Sequence, residues 1–148
     1  METLRPILVV DDDPVDREMI ELAFKRASVV NPVVAVHGAQ PAIDYLASEG
    51  EYRAGSSGTL PVVIILDLDM PDMDGFEFLR RVKGVSSLYV IPVVVLTTSQ
   101  YDGDLTRSYS LSASSCLTKP GEFGRLVEIA REIGVYWCTL NRIPGTTT

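Results

Sequence analysis

Pro61–Asp69 reads PVVIILDLD, five consecutive aliphatic residues followed by a carboxylate. Val62–Leu66 show no alternation of apolar and polar positions, so both faces of the strand they form must be covered. That is the pattern of a parallel sheet packed between helices. Three more runs share it: PILVV (6–10), PVVAV (32–36) and IPVVVL (91–96). Each has a Pro at or near its start, where a missing N–H does least harm to a ladder. A weaker fifth run is SCLT, Ser115–Thr118.

Helical patterns fill the intervals. Asp13-Pro14 is an N-cap followed by Pro at the first helical position, and Val15, Met19, Leu22 and Ala23 follow at helical spacing beside Ile20, Phe24 and Ala27. Ala39–Ser48 is a second helix. Asp74-Gly75 opens a third, with Phe76, Leu79 and Val82 spaced by three. The fourth, Asp102–Leu111, is rich in Ser, Thr and Gly and is anchored by Leu105, Tyr109 and Leu111, so it is expected to be the least stable. From Glu122 the fifth carries Phe123, Leu126, Val127, Ala130, Ile133, Trp137 and Leu140 on one stripe. Ile129 and Tyr136 widen its apolar arc to roughly 180°, more than one core contact needs. Gly50–Leu60 and Pro144–Thr148 read as a surface loop and a frayed tail. Strands alternating with helices predict one domain over 1–148, with a core at about 6–141 and a tail at 142–148: a doubly wound α/β sheet with right-handed crossovers.

The chain has 148 residues, 13 basic against 20 acidic side chains and a net charge of −7, which makes nucleic acid and anionic membranes poor partners. Cys116 and Cys138 have no second Cys or His close by, so they are expected to be reduced thiols rather than zinc ligands. No apolar stretch is long enough to span a bilayer, and the N-terminus lacks the order of a signal peptide. A cytoplasmic location is expected.

In such a sheet, ligands bind beyond the carboxyl ends of the strands. The residues there are Asp11-Asp12-Asp13, Asp67-Leu68-Asp69, Thr97-Thr98-Ser99 and Lys119-Pro120. Close carboxylates repel, raise one another's pKa and call for a cation, and oxygen donors suit Mg²⁺. A carboxylate can also accept a phosphoryl group as an acyl phosphate, given positive charge and a hydroxyl at the phosphoryl oxygens. Mg²⁺, Lys119 and Thr97 could supply these.

Val9–Asp13 (VVDDD), Ile64–Gly75 (IILDLDMPDMDG), Val93–Ser99 (VVVLTTS) and Cys116–Pro120 (CLTKP) together resemble the receiver domain of bacterial response regulators. Thr97 stands 30 residues and Lys119 52 residues after Asp67, as in that family. The resemblance covers about Ile7 to Leu140. It implies a flavodoxin-like five-stranded sheet in the order 2-1-3-4-5 with five helices. It makes Asp67 the acceptor of a phosphoryl group from a sensor histidine kinase, with Mg²⁺ or Mn²⁺ held by Asp12, Asp67, the Asp69 backbone carbonyl and, through water, Asp11. Thr97 becomes the switch hydroxyl with Thr98 as a helper, Lys119 the lysine paired with the phosphoryl group, and Lys119–Pro120 a cis peptide. The protein is then a phosphoacceptor that assists its own phosphorylation and dephosphorylation, not an enzyme. Output would be a change on the face of the fourth helix, fifth strand and fifth helix, homodimerisation through it, and contact with a downstream protein of unknown identity. Only 29 residues follow Lys119, so no DNA-binding module is expected there. The long fifth helix, the insertion before the third strand and Leu96-Thr97-Thr98-Ser99 resemble more narrowly the single-domain regulators that partner bacterial phytochromes.

One position departs from the family. Where an aromatic residue usually precedes the lysine by three, this chain has Cys116, so the coupling must use other residues, with Tyr101 and Tyr109 as candidates. Asp13 reads as a helix cap only, and Asp72 and Asp74 as shapers of the turn that caps the third helix. Ser99 is a candidate tuner of hydrolysis, and His37 reads as a surface residue. A rival is a haloacid-dehalogenase-type phosphatase using Asp67 and Asp69, but that family places its nucleophile strand first and its acidic metal pair late. A flavodoxin-type cofactor binder lacks support, because no phosphate loop follows the first strand.

Overall fold

Residues 4–47 and 60–143 are described by a computed structural model of the chain. The aliphatic runs form strands β1 (Ile7–Val10), β2 (Val33–Val36), β3 (Val63–Leu66), β4 (Val93–Thr97) and β5 (Ser115–Thr118). All pair in parallel, in the order β2-β1-β3-β4-β5. This is the flavodoxin-like order, with β1 and β3 flanking the point where winding reverses. Helices α1 (Pro14–Arg26), α2 (Ala39–Leu46), α3 (Gly75–Lys83), α4 (Ser86–Tyr89), α5 (Asp102–Ser110) and α6 (Phe123–Ile133) connect them, so the fourth and fifth helices of the sequence pattern are α5 and α6. The single turn α4 is the helix that the pattern did not predict.

Alternate strand residues serve two cores. Leu8, Val10, Ile64, Leu66, Val93 and Val95 face α2 and α3, where Phe78, Leu79 and Val82 are buried. Ile7, Val9, Val63, Ile65, Val94 and Leu96 face α1 and α6, meeting Ile20, Phe24, Val127 and Ile133. The three central strands are buried throughout. The outer strands β2 and β5 are mostly half-buried, because each has a neighbour on one side only.

Several apolar assignments turn out differently. In α1 the buried residues are Ile20, Ala23 and Phe24, while Val15 and Leu22 are exposed. In α5 Leu105 and Tyr109 are exposed, and the buried residue is Ser108, whose hydroxyl donates to the Asp104 carbonyl at 2.8 Å. Beyond Ile133 the chain widens into a π-helix over Gly134–Leu140. The wider turn changes the angular step, so Leu140 leaves the predicted stripe and is exposed. Asn141 N–H closes it by donating to the Tyr136 carbonyl at 2.7 Å, and Ile143, within the predicted tail, is buried. No cis peptide occurs among the described residues, so Lys119–Pro120 is trans, the lower-energy form of an X-Pro bond by about 0.5–1 kcal/mol. Ser48, Gly50–Thr59 of the predicted loop, and Pro144–Thr148 lie outside the described residues.

Helix caps tie the rim together. Asp13 accepts from Val15 N–H at 2.9 Å and Asp74 from Glu77 N–H at 2.9 Å, each at the start of its own helix. Asp72 was expected to serve α3. It instead accepts from Ala39 N–H at 3.4 Å and Gln40 N–H at 3.1 Å, at the start of α2, and from Met73 N–H at 2.9 Å. Gly38, the N-cap of α2, has no side chain to do this, and a Cβ there would lie 2.7 Å from Asp72 Oδ2. Asp72→Ala should therefore lower unfolding free energy by about 1 kcal/mol in urea titrations, while Asp72→Asn, whose amide oxygen can still accept, should recover most of that loss.

Candidate functional site

Strand register assembles the site. Val10 pairs with Leu66, so Asp11 and Asp67 leave the sheet side by side, and Asp67 N–H donates to the Val10 carbonyl at 3.0 Å. Thr97 pairs with Thr118, which puts Lys119 next, its N–H bonded to the Thr97 carbonyl at 2.8 Å. Gly75 lets the β3–α3 loop fold back: its N–H donates to the Leu68 carbonyl at 2.9 Å, and a Cβ there would meet the Asp67 carbonyl oxygen at 2.7 Å.

Asp11, Asp67 and Thr97 are buried at 1, 8 and 2% exposure, while Asp12 is half-buried. One carboxylate oxygen each from Asp11, Asp12 and Asp67 lies within 4.8 Å of the others, a donor set of hard oxygens that could hold a divalent cation. Asp69 is exposed and acts on Asp67 through its charge. Thr97 Oγ1 accepts from Ser99 N–H at 3.2 Å, and Ser99 Oγ donates to Asp104 Oδ2 at 2.6 Å, linking the hydroxyl to the first turn of α5. Thr98 is exposed, and Cys116 is half-buried.

Lys119 is the counter-charge. Its Nζ donates to Asp11 Oδ2 at 2.9 Å and to Asp16 Oδ2 at 2.7 Å, and stands 3.6 Å from Asp67 Oδ1. Burial opposes its charge, but the hydrogen bonds to Asp16 and Asp11 outweigh this and hold its pKa above the ordinary lysine value. Burial pushes the Asp67 carboxyl up to about 6 against the pull of Lys119, with Asp11, Asp69 and Asp12 adding in the same direction. Asp11 is likewise raised, chiefly by burial.

Two residues of this arrangement escaped the sequence reading. Asp16 is the third residue of α1, and a side chain in a helix's first turn leans back toward its N-terminus. Here that direction is the acidic rim, so the placement was available as a signal. Arg17 donates through Nη1 to the carbonyls of Asp11 at 2.9 Å and Asp12 at 3.1 Å, fixing the backbone of the acidic pair.

Such a rim, at the switch point of a sheet ordered 2-1-3-4-5, is that of a receiver-type fold. Residues 7–131 match the response regulator receiver domain, and the chain belongs to that family. It is 39% identical over 139 residues to the probable methanogenesis regulatory protein FilR2 of Methanothrix harundinacea, covering 94% of this chain and 87% of the relative. The phosphorylated cyanobacterial phytochrome response regulator RcpA superposes with a TM-score of 0.85 at 34% identity, covering 95% of this chain and 99% of that one. The Mn²⁺-bound form of response regulator Rcp1, a Synechocystis protein, superposes at 0.82 with 31% identity, over 95 and 99% of the two chains. The chain is thus similar over nearly its whole length to phytochrome-type receivers. No helix of the described residues is long and apolar enough to cross a membrane.

The raised Asp67 pKa has a thermodynamic consequence. A carboxyl that holds its proton more tightly when folded than when unfolded costs stability as pH rises from about 4 through about 6. In a chelator at pH 7, Asp67→Asn should be more stable than the parent by about 2–3 kcal/mol, and the gap should close near pH 4. Denaturant midpoints at both pH values measure this, and parallel profiles for the two chains would contradict it.

Proposed function

We propose that this chain is a response regulator whose Asp67 accepts a phosphoryl group from the phosphohistidine of a sensor histidine kinase. The observation that carries the reading is Asp67 itself: a buried carboxylate at the end of a central strand, beside an ammonium and two further carboxylates. An Asp67 carboxylate oxygen forms the new O–P bond as the P–N bond breaks, and the electron pair leaves with the imidazole. Asp12, Asp67, the Asp69 carbonyl and, through water, Asp11 are the proposed holders of Mg²⁺ or Mn²⁺. When bound, the cation offsets the charge of the carboxylates and the phosphoryl oxygens. Lys119 contributes a second positive charge, and the Thr97 hydroxyl, helped by Thr98, bonds a phosphoryl oxygen. The chain is then a phosphoacceptor and not an enzyme with a separate substrate.

The signal leaves through α5. Drawing Thr97 toward the phosphoryl group strains its bond from Ser99, and Ser99 is tied to Asp104. With Cys116 in place of an aromatic residue, this polar link and the exposed Tyr101 at the start of α5 take over the coupling. Biasing a pre-existing equilibrium between two loop arrangements is enough to expose or hide a face. Exposed Leu105, Tyr109 and Tyr136 favour the α5–β5–α6 face as a homodimer surface and as the contact for a downstream protein. The similarity to RcpA, a phytochrome response regulator, favours a phytochrome kinase as donor. A cytoplasmic location accords with that donor chemistry. The phosphatase reading is not favoured, because Asp69 is exposed and the acidic pair belongs to the first strand.

Incubation with acetyl phosphate and Mg²⁺ should add one phosphoryl group, measured by intact mass. Asp67→Asn should take none, and a chelator should abolish labelling; equal labelling of Asp67→Asn would refute the assignment. Thr97→Ala should still be labelled yet lose the phosphorylation-dependent amide shifts across Ser99–Asp104 in NMR spectra, and retained shifts would remove Thr97 from the switch.

A further inference from the structure

Lys119 makes its shortest contact with a residue that the phosphoacceptor chemistry has not used. Nζ lies 2.7 Å from Asp16, 2.9 Å from Asp11 and 3.6 Å from Asp67. An ammonium has three N–H donors in a tetrahedral arrangement. Two are committed to Asp16 and Asp11, and 3.6 Å is too long for a hydrogen bond from the third. Asp16 and Lys119 also line a cleft of about 160 Å³ between α1 and the β5–α6 turn, with Met19, Pro120 and Phe123, to which Asp67 does not contribute. The ammonium is therefore drawn to the α1 side of the rim. The gap it leaves keeps Asp67 Oδ1 free of a charge-assisted bond from Lys119 and leaves one of the three N–H donors uncommitted to Asp11 or Asp16.

Resting on the reading of Asp67 as phosphoacceptor, we propose that Asp16 is a positioning residue that holds the Lys119 ammonium off Asp67 until phosphoryl transfer. Without it, Lys119 closes on Asp67 and forms a ground-state hydrogen bond that must break before the carboxylate can attack. Asp16 is half-buried in the first turn of α1, so its loss leaves both cores intact.

The test uses the full chain with acetyl phosphate and Mg²⁺, following the rate against donor concentration. Asp16→Asn should lower the maximal rate roughly tenfold, and Asp16→Glu, which still reaches the ammonium, should restore most of it. A mere change in local charge acts differently. It alters attraction of the anionic donor, so it moves the half-saturating concentration and leaves the maximal rate alone. A crystal structure of Asp16→Asn should show Lys119 Nζ within about 3 Å of Asp67 Oδ1. A maximal rate within twofold of the parent, a faster one, or an unmoved lysine would each overturn the proposal. Failure of the parent chain itself to be labelled would instead overturn the assignment of Asp67.

Discussion

One ammonium facing three carboxylates is the constraint on which this rim depends. Lys119 lies within 4 Å of Asp11, Asp16 and Asp67, all at the mouth of a sheet whose central strands are fully buried. Opposite charges at that distance attract strongly where water is excluded, but one positive charge cannot neutralise three negative ones. Burial first, and the neighbouring acids after it, push Asp67 toward neutrality, and the residual negative charge is why the donor set suits a cation. A fully compensated cluster would be more stable and chemically idle. The imbalance leaves the site with a donor set that could hold a divalent cation.

The parallel register makes that imbalance possible. Asp11 and Asp67 leave neighbouring strands at equivalent positions, and on the next pair Thr97 lies opposite Thr118, one residue before Lys119. Side chains that are 108 residues apart in sequence meet without any long loop having to order itself. The aliphatic residues below them resist movement, because a close-packed core does not deform continuously. The loop beyond β4 is held instead by the polar links Thr97–Ser99–Asp104.

The fold and most of the rim were legible because their signals are strong: four continuous aliphatic runs, three of them ending in Asp11, Asp67 or Thr97. What escaped detection did so for local reasons. The core anchor of α5 is Ser108, a polar residue whose hydroxyl is satisfied within its own helix, so its burial leaves no apolar trace. Val15 and Leu22 sit at helical spacing but on the outward side of α1, and spacing alone does not orient a stripe. The half-buried state of β2 was hidden because PVVAV looks like a central strand, and only pairing reveals an edge. Leu140 was misplaced because a π-turn, invisible in composition, altered the angular step after Ile133. Asp72 serves a helix that starts 33 residues earlier, a contact no local rule proposes.

The hydrogen bond from the Lys119 amide to the Thr97 carbonyl has a mechanical meaning. The hydroxyl is carried by the last residue of β4 and the ammonium by the residue just past β5, joined at that rung like two levers on a common axle. Neither backbone can be displaced toward an arriving anion without loading the other. Under the function proposed above, an occupant at Asp67 loads both levers at once.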